Sequence, residues 1–307
     1  AVTSYYGWVS ADGSLIAARE AERAAQSSYE AASTREQIGT ATRADRLQAQ
    51  TALAQTQRAR VQAEGQLRTA RGALANSMGL PANTPLQLAA APTVAPSADF
   101  VEKLDPLVAA ALAARPDLAA AESNLLAAET DVRAARSAGL PTLSGSLGQT
   151  YSRVGERERD SATAGLSVSV PIFSGFENTY RVRAAEAQVE SSKAALESLR
   201  NQISQQVFQA HSELTTQTQS VFTAQALVAA ALESENVARG RYEAGVGTIL
   251  DLINAQSSAA DARRQLILAQ SNWAAARTQL AQAVGALDPS SDPTIPAANT
   301  TSVTTTP

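Results

Sequence analysis

Cysteine is absent from these 307 residues, so neither a disulfide nor a thiolate metal site can form within them. His211 is the only histidine, which excludes a histidine-based zinc site from a single chain. Aromatic residues make up 4% of the sequence, few for packing a large globular core. No apolar run reaches the roughly 20 residues of a membrane-spanning helix. No basic stripe accompanies the net charge of −4, so no nucleic-acid partner is expected. No signal peptide is visible at Ala1, which fits a cytosolic, a processed or an incomplete chain.

What is present is alanine in abundance, charges of both signs interspersed, and Gly and Pro gathered into a few stretches. That is the composition of long helices lying side by side. The pattern predicts a helix from residue 1 to about 38, with Tyr5, Tyr6, Trp8 and Val9 at its start and Gly39 at its end. A second helix is expected from about Thr42 to Met78. Its Leu53, Leu67 and Leu74 fall on a seven-residue series interrupted only by Arg60, a period that predicts left-handed supercoiling on a neighbour. Gly79-Leu80-Pro81 stops it. The Ala-, Pro- and Thr-rich residues 82–103 read as an irregular linker. A helix resumes through Leu107-Val108 and again at Arg115-Pro116-Asp117-Leu118, where Pro116 suits a first turn, and ends at Gly139-Leu140-Pro141.

One β signal follows. In Thr142–Tyr151 the apolar residues Leu143, Leu147 and Tyr151 alternate with small or polar ones, and Ala164, Leu166, Val168 and Val170 do the same in Ala162–Val170. Between them, Arg153 to Asp160 reads as a charged loop. A period of two calls for one apolar and one polar face. Strands of about ten residues cross a bilayer when tilted, but a soluble hairpin lying on a core fits the same pattern. After Pro171-Ile172-Phe173-Ser174-Gly175 a helix is expected from about Glu177 to Tyr242, on the order of 100 Å long at 1.5 Å per residue. Val182, Val189, Leu196, Ile203 and Ala210 lie seven apart along it, and Val207, Leu214, Val221 and Val228 form a second series. Gly245 and Gly247 break it. A partner helix carries Leu252, Leu266, Trp273, Leu280 and Leu287 at sevenfold spacing, and residues 288–307 read as a disordered tail.

The stretch Arg241 to Gln256 has a weaker copy 206 positions earlier, at Arg35 to Gln50. The offset holds without a gap to Gly79/Gly285, and 14 of the 45 paired positions are identical. Alanine-rich helices match easily by chance. Gly39/Gly245, Thr42/Thr248, Asp45/Asp251 and Ala49-Gln50/Ala255-Gln256 align at the turn itself, and they argue for a duplicated helical hairpin. Residue 1 then corresponds to residue 207, and the image of the strand pair falls before the start of the chain. On the order of a hundred further N-terminal residues are therefore expected in the complete protein.

Arg115-Pro116-Asp117, Leu140-Pro141 before a strand, Val170-Pro171-Ile172-Phe173-Ser174-Gly175, Tyr242-Glu243-Ala244-Gly245, and Thr248-Ile249-Leu250-Asp251 followed by Ala255-Gln256 occur in this order. Together they resemble the TolC family of outer-membrane factors, the exit ducts of Gram-negative efflux pumps and type I secretion systems. The resemblance implies a mainly α fold, with long antiparallel coiled-coil-like helices forming an α-barrel and a transmembrane β-hairpin contributing to a trimeric β-barrel. It divides the chain into a first helical hairpin (1–80, tip at 39–42), an equatorial linker (81–106), a helix leading to the barrel (107–139), a membrane hairpin (140–174), a second helical hairpin (175–287, tip at 243–248) and the tail. Six strands from three such chains would fall short of the eight of the smallest membrane barrels, so this stretch alone is not expected to form a working pore.

No enzyme signature stands out, and no cofactor or metal is expected. Gly245-Val246-Gly247 follows no strand and lacks a third glycine, and Gly-x-Ser-x-Gly does not occur. Thr42 with Asp45 and Thr248 with Asp251 fit a helix-capping pattern. By resemblance, three copies of Asp251 would also ring the narrow periplasmic end of the tunnel, with Asp45 close by. Asn254 stands where relatives often carry a second acid, and Gly247 where some carry a basic latch. Both readings of the acids stay open. The tips, with Gly39, Thr42, Gly245, Gly247 and Thr248, would dock a periplasmic adaptor serving an inner-membrane transporter. Leu143, Leu147, Tyr151, Leu166, Val168 and Val170 would face outer-membrane lipid. The alternative from a different class is a soluble coiled-coil scaffold or adhesin.

Overall fold

The structure is a computed structural model that describes residues 2–87, 103–154 and 157–286. The centre of the expected linker and the expected tail lie outside these residues. Two compact units are present, one of residues 1–111 and 206–307 and the other of residues 112–205. In the first unit α1 (Val2–Gln37) packs on α2 (Arg43–Ser77) and on α6 (Ile249–Val284), and α2 also touches α6. This unit also holds most of α3 (Leu104–Ala114) and the C-terminal part of α5 (Glu177–Glu243). The second unit contains α4 (Pro116–Ser137), the strands β1 (Thr142–Val154) and β2 (Arg157–Ser169), and the start of α5.

The sevenfold series lie where burial is deepest. On α5, Val189, Leu196 and Ile203 are buried, and the seam then passes to Val207, Leu214 and Val221. The step of four from Ile203 to Val207 is a stutter, which lets a straight helix keep its apolar line on its neighbour. On α6 the larger residues Leu252, Trp273 and Leu280 are buried, with Leu266 half-buried. Between them runs a second buried series, Ala255, Ala262, Ala269 and Ala276. The alanines complete the alternating three–four spacing of a coiled-coil seam, and their small side chains let a neighbouring helix approach closely.

Arg60, the interruption in the α2 series, meets the corresponding interruption on α1. Trp8 and Leu15 are buried seven apart, and Glu22 is next in that line. Arg60 Nε lies 2.6 Å from Glu22 Oε2, and Arg60 Nη1 donates to Glu64 Oε1 at 2.7 Å. At the duplicated positions the second hairpin carries two apolar residues, Val228 and Leu266.

The helix expected to resume at Pro116 does so, after α3 has run from Leu104 to Ala114. Arg115 is extended (φ −75°, ψ 125°), because the residue before a proline is pushed out of the helical region, and Pro116 opens α4. Arg115 grips Asp117 with two hydrogen bonds, from Nε at 3.0 Å and Nη2 at 2.6 Å, and this holds the Asp117 carboxyl below its ordinary range. One expectation, the strand bounds, needs correction. The strands are longer than their apolar alternation. The backbone ladder runs on through Ser152↔Arg159 to Val154↔Arg157, so most of the expected charged loop is strand. At the other end it closes at Thr142↔Ser169, which leaves Val170 outside β2 and against Pro171, which has no N–H to give to a ladder.

Candidate functional site: paired helical tips and an apolar hairpin face

Both tips are built from the same backbone bonds. In the first, Gly39 N donates to Glu36 O at 3.0 Å and Thr40 N to Arg35 O at 2.8 Å. In the second, Gly245 N donates to Tyr242 O and Val246 N to Arg241 O, both at 3.0 Å. These are Schellman closures, and each needs a left-handed residue after the helix. Gly39 (φ 78°) and Gly245 (φ 77°) supply it.

The next helix then starts with a reciprocal cap. Thr248 Oγ1 accepts from Asp251 N at 3.1 Å, while Asp251 Oδ2 accepts from Thr248 N at 3.3 Å and from Thr248 Oγ1 at 2.8 Å. Thr42 and Asp45 repeat the arrangement at 3.2, 2.9 and 2.8 Å. The capping reading of both acids therefore holds. Capping leaves Asp251 exposed, and Asn254, one turn on, is exposed on the same face. The Thr248 hydroxyl and backbone N–H, with Arg241 nearby, hold the Asp251 carboxyl below its ordinary value of 3.8.

The structure joins the two tips through residues to which the motifs had assigned no role. Tyr242, Ile249 and Leu252 form a buried cluster with Ala32 and Ala49, and Tyr29 and Ile253 pack against it. Arg35 reaches across from α1, its Nη1 donating to Tyr242 O at 2.7 Å and its Nη2 to Glu243 O at 2.8 Å. Burial pushes the Tyr242 phenol up, the Asp45 charge adds to that, and Arg35 opposes it. Deeper along the same joint, Gln256 Nε2 donates to Ser28 Oγ at 2.9 Å. The repeated Arg35/Arg241 and Gln50/Gln256 identities were the sequence signal for these contacts.

Gly247 has no left-handed φ, but a Cβ there would lie 3.0 Å from Arg241 Cβ and 3.1 Å from Tyr242 N. The sister turn carries Ala41 at this position, with the same hydrogen bond to the preceding arginine: Ala41 N to Arg35 O at 3.1 Å and Gly247 N to Arg241 O at 3.0 Å.

In the second unit, register puts Leu143 opposite Val168, Gly145 opposite Leu166, and Leu147 opposite Ala164 on one face. Ser144 opposite Ser167 and Thr150 opposite Ser161 lie on the other, and the Ser144 and Ser167 hydroxyls share a 2.8 Å hydrogen bond. Among the described residues nothing covers the apolar face: Leu147 is 92% and Leu166 77% exposed. Exposed aromatics flank it, with Tyr151 toward the hairpin turn, and Phe173 and Phe176 in an edge-to-face pair beyond Val170.

The description "Outer membrane efflux protein" matches residues 2–80 and 107–286. The chain belongs to that family. Among curated relatives it is 31% identical over 273 residues to "Protein CyaE" of Bordetella pertussis, covering 87% of this chain and 57% of that one. It is also 31% identical over 149 residues to "Outer membrane protein OprJ" of Pseudomonas aeruginosa, covering 47% of this chain and 31% of that one. The chain thus spans little more than half of CyaE and about a third of OprJ. Solved structures show the fold. The VceC outer membrane protein of Vibrio cholerae has a TM-score of 0.74 at 19% identity, covering 92% of this chain and 68% of that one. The open-state MtrE outer membrane channel of Neisseria gonorrhoeae has 0.74 at 24%, covering 92% and 64%. The mainly helical fold with a two-stranded antiparallel hairpin is that of family channels, and the family's place is the outer membrane.

Proposed function

We propose that this chain forms part of a passive exit duct of a tripartite efflux pump or type I secretion system. It assembles as a homotrimer, crosses the outer membrane through its β-hairpin, and extends into the periplasm through its helices. It performs no chemistry of its own. A periplasmic adaptor docks on the helical tips, and an inner-membrane transporter supplies the energy. The observation that carries this reading is the β-hairpin, whose apolar face rests on no core among the described residues and whose hydroxyl face suits a water-filled lumen. Leu143 to Tyr151 rises about 26 Å, close to the height of the apolar band of a membrane barrel, and aromatics stand at both of its ends.

At the tips, three copies of Asp251, Asn254 and Asp45 line the periplasmic constriction. Three carboxylates around a narrow aqueous passage attract cations and repel anions. The depressed Asp251 carboxyl stays charged throughout the neutral range. The test is the reversal potential of the full-length protein in a planar bilayer under a salt gradient. Asp251→Ala is expected to lower cation selectivity, and an unchanged potential would remove Asp251 from the constriction. A full-length protein soluble without detergent would instead point to a coiled-coil scaffold.

A further inference from the structure

Beyond the tip acids, the exposed sides of α2 and α6 carry two rows of uncharged polar residues. Gln48, Gln55, Gln62, Thr69 and Asn76 lie seven apart on α2, and all are exposed. Ser258, Gln265, Asn272 and Gln279 do the same on α6. Sevenfold spacing keeps each row on one side of a supercoiled helix. Each row also starts beside a tip acid: Gln48 stands three residues after Asp45, and Ser258 seven after Asp251. Residues so spaced share a helix face, so the rows continue the face on which Asp251 and Asn254 are exposed.

Charge is kept off this face. Arg58, Arg60, Glu64 and Arg68 of α2 all fall at other heptad positions. On α6 Asp261 is the exception, and Arg264 Nη2 lies 3.0 Å from its Oδ1. Large apolar side chains are as scarce, with Leu268 the one example. The duplication does not dictate the rows, since Ser258, Gln265 and Gln279 correspond to Ala52, Ala59 and Ala73. Folding does not call for them either, because an exposed helix face gains solubility and i,i+4 pairs from charges.

We propose that these rows face the lumen as an uncharged track, and that the cargo suited to it is a polypeptide in extended form. The inference rests on the duct reading above and names its cargo class. An amide both donates and accepts, as a peptide group does, so contacts with a passing chain replace those with water at little net gain. A wall without net charge neither holds basic residues nor turns back acidic ones, whereas a charged ring selects by sign. Selection by sign is then confined to the tips. A site for a drug-sized compound would need apolar and aromatic lining, which the rows lack. From Gln48 to Asn76 the track runs about 42 Å at 1.5 Å per residue, the span of about a dozen residues of extended chain.

The full-length protein in planar bilayers supplies two readouts. Gln62→Cys and Asn272→Cys each place a thiol on one row of a chain that has no cysteine of its own. Reaction with an anionic methanethiosulfonate is expected to shift the reversal potential toward cation preference at both positions. Absence of the shift at either position, while Asp251→Ala still lowers cation selectivity, would overturn the track and leave the duct standing. Absence of any conductance in the unsubstituted protein would overturn both. Cargo class is read from current blockades by two unstructured glycine–serine peptides, one carrying lysines and the other glutamates. With Asp45→Asn and Asp251→Asn removing the tip charge, mean blockade times for the two are expected to agree within about twofold. Adding Gln55→Glu and Gln62→Glu should lengthen the lysine peptide's blockades about tenfold and shorten those of the glutamate peptide. Discrimination that is equally strong without the added glutamates would overturn the neutral wall. Blockade by tetraphenylphosphonium, an apolar cation, under conditions where neither peptide blocks would overturn the polypeptide in favour of small cargo.

Discussion

The Arg35 guanidinium lies 4.4 Å from the centroid of the Tyr242 ring while donating to the backbone oxygen of the same residue at 2.7 Å. One side chain thus ties the end of α5 to the end of α1 by a cation–π contact and a charge-assisted cap of the last carbonyls. Arg35→Ala is expected to cost about 2 kcal/mol, the scale of hydrogen bonds to a charged group. Arg35→Lys should recover only part, since an ammonium lacks the planar fork that reaches two carbonyls while lying on a ring. Thermal unfolding in detergent, with both variants beside the parent, checks the order.

Asp251 sets a pH dependence of defined sign. Its folded carboxyl lies below the ordinary 3.8, with Thr248 the principal cause. A depressed acid contributes stability that is full above its unfolded value and is lost as pH falls through the folded one. The second tip should therefore hold through pH 5 and loosen only below about 3.8, as the carboxylate protonates. Thr248→Val removes the hydroxyl and should move the Asp251 titration up toward the ordinary value, measurable from the carboxylate band in isotope-edited infrared spectra. An unmoved titration would leave the backbone N–H of residue 248, and Arg241 after it, as the causes.

The seams show what periodicity reveals and what it hides. Leu252, Trp273 and Leu280 announced the α6 seam because large apolar residues stand out against alanine, yet Ala255, Ala262, Ala269 and Ala276 are equally part of it. In a sequence this rich in alanine, a buried one looks like an exposed one. Arg60 looked like a gap in the α2 series, and only the fold shows Glu22 opposite it. The strands were cut short at Tyr151 because hydrophobic alternation marks only the apolar part of a ladder, while backbone pairing continues into charged residues. The Thr–Asp caps were legible because their chemistry is local to four residues. Arg35 on Tyr242 was not, because 207 positions separate the two.

The Glu22–Arg60 pair and its apolar image suggest an exchange within the molecule. Arg60→Leu alone should destabilise, because it leaves a partly buried Glu22 without its cross-helix partner. Glu22→Val with Arg60→Leu installs the residues that the second hairpin carries at these positions, Val228 and Leu266, and should restore stability to the parent level or above. Urea denaturation of the three proteins gives the coupling, and additive effects would count against a direct pair.

The hairpin faces separate lipid from lumen. Leu166→Arg places a charge on the apolar face, where a mid-membrane arginine costs about 2–4 kcal/mol. Ser167→Arg, one residue on, faces the hydroxyl side and should be tolerated. Outer-membrane yield of the full-length variants is expected to fall for the first and stay near parental for the second. Equal yields would argue for a hairpin outside the bilayer.

The adaptor docking proposed for the tips needs a test that separates strain from contact. Gly245 sits at φ 77°, where any L-residue costs about 1–2 kcal/mol, so loss of function in a single bulky variant would be ambiguous. The surroundings resolve this: a Cβ at Gly245 meets nothing within 4 Å. Gly245→Ala and Gly245→Trp therefore carry similar backbone strain and differ chiefly in how far they project from the tip. Trimers should persist in both, and efflux complementation should survive Gly245→Ala but fail with Gly245→Trp. Equal complementation by the two would place the adaptor contact elsewhere.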